Sequence, residues 1–137
     1  MIKDKALCYF TEGKYNCCQA VICSFCDAYG IPADEVFKLT EAFGSGMGGL
    51  QDTCGAVTGM FMAISMYNSA GDVYNPLKTK MDTYASVRQY AECFKQINGS
   101  IYCRDLKKPQ DGSKAVSCNT CVETAAALVD KYIELHE

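Results

Sequence analysis

The chain has 137 residues, 49% hydrophobic and 21% charged, with a net charge of −3. That length supports a hydrophobic core without disulfide staples, and the composition excludes a disordered chain. Lysines and arginines are scattered, only Lys107 and Lys108 being adjacent, so there is no electrostatic footprint for nucleic acid.

Helical signals dominate in chain order. A short helix is expected over 4–12, ending at Gly13. Asn16 followed by Gln19 resembles a capping box, opening a helix that runs to about Tyr29 and stops at Gly30. Pro32 suits the first turn of a helix over 32–43, with Val36, Phe37, Leu39 and Phe43 apolar. A glycine loop over 44–49 follows, and Thr53 is expected to cap a very apolar central helix over 53–67. Asn75-Pro76 reads as the start of a long helix to about Ile97, with Tyr84, Val87, Tyr90, Ala91 and Phe94 as its core stripe. Residues 100–106 read as irregular and 107–114 as a polar loop. A last amphipathic helix runs from Ser117 or Thr120 to about Glu134, leaving His136 in a frayed end. We therefore expect an all-α fold, a compact bundle of five to six helices, as a single domain over 1–137.

The first residues lack the apolar stretch of about 7–15 residues that a signal peptide needs. No run approaches the roughly 20 apolar residues of a membrane span. The reading is a cytoplasmic protein that is not membrane-embedded. Ten cysteines in such a compartment point to metal binding or redox chemistry rather than a disulfide scaffold. The lone histidine, His136, excludes Ser-His-Asp and Cys-His catalysis and any His-rich metal site. Sulfur would have to hold any metal.

Cys17, Cys54 and Cys118 each follow a potential N-cap residue (Asn16, Thr53 and Ser117), where backbone N–H groups and the helix dipole favour a thiolate. Two C-x-x-C pairs occur. Cys23/Cys26 lies mid-helix and reads as packing, whereas Cys118/Cys121 lies at a helix start. The register of the second pair is open, because Thr120 with Glu123 would make Cys121 the first helical residue. Cys8 and Cys93 read as small hydrophobes, and Met60, Met62 and Met66 as core filler. Gly44, Gly46 and Gly49 match G-x-G-x-x-G but lack the preceding strand of a dinucleotide site; the loop amides could instead line a cleft before Cys54. Gly55 and Gly59 suit the close approach of another backbone.

Four ordered blocks carry a resemblance: residues 16–21 (Asn-Cys-Cys-Gln-Ala-Val), 48–59 with Thr53-Cys54-Gly55-Ala56, 94–106 with Tyr102-Cys103-Arg104, and 118–126. Together they resemble the C-GCAxxG-C-C family of redox-active proteins. The four cysteines of that name fall on Cys17, Cys54, Cys103 and Cys118. Cys18 and Cys121 depart from the family pattern and leave the number of site thiols open.

What the resemblance implies is a four-cysteine site. One reading is a metal centre on Cys17, Cys54, Cys103 and Cys118 for electron transfer, an iron–sulfur cluster by analogy with split-Soret-type cytochromes, or else zinc. Gly46, Gly48, Gly49 and Gly55 would then surround the cofactor. A second reading is a metal-free thiol–disulfide protein with Cys54 or Cys118 as the redox thiol. A third is an accessory or interaction domain with structural cysteines. Whether the chain is an enzyme stays open, and so does its redox partner protein. A homodimer and an association with a membrane transporter stand as partner expectations.

Overall fold

The computed structural model describes all 137 residues. Asn16 starts its helix as the spacing predicts. Its side chain accepts the Gln19 N–H, and the Gln19 side chain accepts the Asn16 N–H, closing a capping box. The helices in order are α1 (Ile2–Thr11), α2 (Cys17–Ala28), α3 (Asp34–Leu39), a 3₁₀ turn (Thr40–Phe43), α4 (Gly44–Met47), α5 (Gly55–Asn68), α6 (Lys80–Asn98), α7 (Cys103–Lys107) and α8 (Cys118–His136). The sole extended pairing is one antiparallel bridge between Thr53 and Tyr102, so the fold is all-α. No helix is long and apolar enough to cross a membrane.

α5 packs against α2, α8 and α6, while α1 lies across α8 and α2. Val21, Phe25, Val57, Met60, Ile64, Phe94, Val122, Val129 and Tyr132 fill the space between them. Burying this many large side chains, at about 1.5–3 kcal/mol each, is the main force holding the helices together. Gly59 lets α5 settle onto α2: a Cβ there would fall 2.8 Å from the Cys18 carbonyl oxygen and 2.9 Å from Val21 Cβ. The open N-terminus of α1 is closed from a distance, because the Asp130 carboxylate accepts the Ile2 and Lys3 N–H groups.

Local signals misplace four helix starts or ends. Pro32 precedes rather than opens its helix, which spans only Asp34–Leu39 before tightening into the 3₁₀ turn, and Phe37 and Leu39 face outward. Asn75-Pro76 belongs to a turn, in which the Asn75 N–H bonds to Asp72 and the Lys78 N–H to Asn75, so α6 begins at Lys80. Tyr84 at the head of the expected stripe is exposed, while Tyr90 and Phe94 are buried. Thr53 does not cap α5. It is spent in the bridge to Tyr102, and Cys54 itself is the N-cap residue. His136 is not frayed: it is the last residue of α8 and stacks on Tyr132 at 4.1 Å.

Candidate redox site

Four cysteines stand at helix starts. Cys17, Cys103 and Cys118 are the first residues of α2, α7 and α8, and Cys54 is the N-cap of α5. Cys103 completes a set in which the sequence supplied a capping signal only for the other three. Long-range hydrogen bonds draw these starts together. The Cys54 N–H bonds to the Ile101 carbonyl and the Cys103 N–H to the Asp52 carbonyl, both at 2.7 Å, and the Arg104 N–H bonds to Gln51. With the Thr53–Tyr102 bridge, they clip the start of α7 to the start of α5. Cys17 is brought in by Gly55, where a Cβ would lie 3.2 Å from Cys17 Cβ and 2.8 Å from the Phe43 carbonyl oxygen. Cys103 is brought in under Gly46, where a Cβ would fall 2.7 Å from Cys103 Cβ.

α8 closes the cluster. Ser117 caps it, its hydroxyl accepting the Thr120 N–H, so Cys118 is the first helical residue and Cys121 lies one turn in on the same face. This settles the register that the sequence left open. Cys121 interacts with Cys54, and Cys118 with Cys17. Cys54 is 5% exposed and Cys121 3%, whereas Cys118 is partly exposed. All ten cysteines are free thiols.

The two inner thiols are driven in opposite directions. The neighbouring Cys121 S–H, then the Val57 and Ala56 N–H groups and the Lys107 ammonium, favour charge on the Cys54 sulfur. Against the cost of burial, these interactions lower Cys54 from 9.0 to about 7. The same pairing with Cys54, then burial, pushes Cys121 far up, because losing its proton would set two thiolates side by side. Burial, then the neighbouring Cys118 and Cys54, pushes Cys17 up strongly. Burial also raises Cys103, with Lys107 opposing it. Cys54 is thus drawn toward the thiolate, while Cys17, Cys103 and Cys121 are held toward the thiol. The sequence leaves the place of Cys121 open and gives no signal for Lys107; the i, i+3 spacing from Cys118 is the available signal for the former.

The remaining predicted positions separate. Gly55 and Gly46 touch the thiols, but Gly48 and Gly49 lie exposed on the outside of the loop, and the Gly48 N–H is bonded to the Gly44 carbonyl. Ser45, Gly46, Met47, Gly48 and Gly49 all have positive φ, so the loop is a left-handed turn. Cys18 points the other way on α2, 3.8 Å from the Met62 sulfur, and burial raises it to about 12. Cys23 and Cys26 are core residues. Cys8 is exposed and donates to Glu12, and Cys93 is half-buried. No three Cys, His, Asp or Glu side chains stand together as a group able to hold a metal ion.

A relative in Archaeoglobus fulgidus, described as an uncharacterized protein, is 29% identical over 121 residues, covering 84% of this chain and 80% of the relative. No solved structure matches the chain. The sequence model described as "Putative redox-active protein (C_GCAxxG_C_C)" matches residues 15–132, and the chain belongs to that family.

Proposed function

We propose that the protein is a thiol–disulfide redox protein whose reacting pair is Cys54 and Cys121. The observation that carries this reading is the opposite setting of two neighbouring sulfurs, Cys54 poised near neutrality and Cys121 held protonated. A thiolate is the attacking form in disulfide exchange, and a pKa near ambient pH gives the best compromise between thiolate fraction and nucleophilicity. Cys54 attacks a substrate disulfide, forming a mixed disulfide and expelling one substrate thiolate. Cys121 then attacks the Cys54 sulfur, the Cys54–Cys121 disulfide forms, and the second substrate thiolate leaves with the Cys121 proton. Two electrons pass from the protein to the substrate, and the reverse sequence oxidises a dithiol.

A metal centre on Cys17, Cys54, Cys103 and Cys118 is the second reading, favoured by the placement of all four at helix starts. Thiolate donors suit zinc or an iron–sulfur cluster. Because no ion-holding group of three is preformed, these thiols would have to draw together to hold one.

Anaerobic purification of the full chain, followed by metal and sulfide analysis and then controlled oxidation with thiol trapping, separates the two. The pair predicts metal-free protein and one reversible disulfide, mapped to Cys54 and Cys121. Stoichiometric iron or zinc, or every thiol free after oxidation, would contradict it.

A further inference from the structure

α8 carries two of the clustered thiols one turn apart, and each faces a different helix. Cys121 meets Cys54 at the start of α5, and Cys118 meets Cys17 at the start of α2. The two pairs also adjoin each other, Cys17 neighbouring Cys54 and Cys121 neighbouring Cys118. They differ in access. Cys54 and Cys121 are 5% and 3% exposed, and Cys17, Cys54 and Cys121 belong to the hydrophobic core, against which the partly exposed Cys118 packs. Cys118 is therefore the sulfur that a bulky disulfide meets first, whereas Cys54 admits only small ones.

We propose that Cys118 and Cys17 form a second, outer dithiol that exchanges with external peptide-like disulfides and relays oxidation to the buried Cys54–Cys121 pair, making the site a four-electron centre. This rests on the thiol–disulfide reading above and adds the route by which substrate reaches it. The Cys118 thiol attacks an external disulfide, forming a mixed disulfide and releasing one external thiolate, which takes the Cys118 proton. Cys17 attacks the Cys118 sulfur, expelling the second external thiolate, which takes the Cys17 proton. Cys54 then attacks the Cys17 sulfur; the Cys17–Cys118 bond breaks and Cys118 leaves with the Cys54 proton. Cys121 attacks the Cys54 sulfur, and Cys17 leaves with the Cys121 proton. The inner disulfide has formed, the outer dithiol is restored, and a second external disulfide can oxidise the outer pair again. No further oxidant is required.

The test uses the reduced full chain with oxidised glutathione as probe, quenched by alkylation over time and mapped by mass spectrometry. In the wild type, glutathione on Cys118 or the Cys17–Cys118 disulfide precedes Cys54–Cys121, and a fourfold excess of probe oxidises all four thiols. Cys118→Ser slows formation of Cys54–Cys121 at least tenfold with glutathione, while hydrogen peroxide, small enough to reach the core, still forms it. Cys17→Ser leaves glutathione accumulating on Cys118. Formation of Cys54–Cys121 at the wild-type rate in Cys118→Ser overturns the relay and leaves the inner pair standing. Failure of Cys54–Cys121 to form in the wild type with either oxidant removes the inner pair and the relay with it. Circular dichroism of both variants establishes that they are folded before rates are compared.

Discussion

Cys121 adjoins Cys54 across the interface between α8 and α5, and its S–H is the largest influence lowering Cys54. Removing it tests the pairing directly. Cys121→Ala should move Cys54 from about 7 back toward its ordinary 9.0. The neutral-pH thiolate fraction, and with it the alkylation rate of Cys54 mapped by mass spectrometry, should fall about tenfold or more. An unchanged rate would show that Cys121 does not set the Cys54 charge.

Stability should depend on pH in two opposed windows. Cys54 is lowered in the folded state, so between about 7 and 9.0 the unfolded chain holds a proton that the folded chain has shed. Stability therefore rises with pH across that window and is lost as pH falls through about 7. Cys17, Cys18, Cys23 and Cys121 are raised, so above 9.0 the unfolded chain sheds protons that the folded one keeps, and stability falls. Urea midpoints measured under reducing conditions should climb and then drop. Cys54→Ala should remove the climb and keep the drop.

The approach of α2 to α5 depends on Gly59, which has no room for a side chain against Cys18 and Val21. Gly59→Val should destabilise the fold by about 1–3 kcal/mol, read from urea denaturation. Because Gly55, one turn earlier on α5, sets Cys17 against the same helix, the reactivity of Cys17 should rise as the two helices part. A variant of wild-type stability would show that the helices have space to spare there.

Asn16 is the best-defined cap in the chain, with its capping box and a further hydrogen bond from its side-chain amide to the Glu41 carbonyl. Asn16→Ala should cost about 1 kcal/mol in the same urea experiment. Ser117→Ala, which removes the hydroxyl acceptor from the Thr120 N–H, should cost a similar amount and loosen the first turn of α8, where Cys118 lies.

What could be read in the sequence follows the range of the forces involved. The Asn16–Gln19 box, the Gly30 stop and the burial of Tyr90 and Phe94 are local or periodic signals, and each appears in the structure. Asn75-Pro76 is an equally good local signal that the chain uses for a turn instead, and Thr53 is drawn away from capping by a partner far along the chain, Tyr102. For the same reason the meeting of Cys54 with Cys103 could not be derived from spacing alone; the Cys54–Ile101 and Cys103–Asp52 hydrogen bonds that make it are non-local. The choice between Ser117 and Thr120 as the cap of α8 was balanced locally. The structure caps the helix at Ser117 and buries Cys121 against Cys54. The family resemblance named Cys103 where physical reasoning could not, and it left Cys121 in the background.

The central claim is that one buried thiolate exists near neutral pH and that it is Cys54. Ultraviolet thiolate absorbance of the reduced, metal-free full chain, titrated from acid to alkaline pH beside Cys54→Ser, measures it most directly. One thiolate should appear with a midpoint of about 7 in the wild type and be missing from Cys54→Ser. No thiolate below 9.0, or the same midpoint in both proteins, would contradict it.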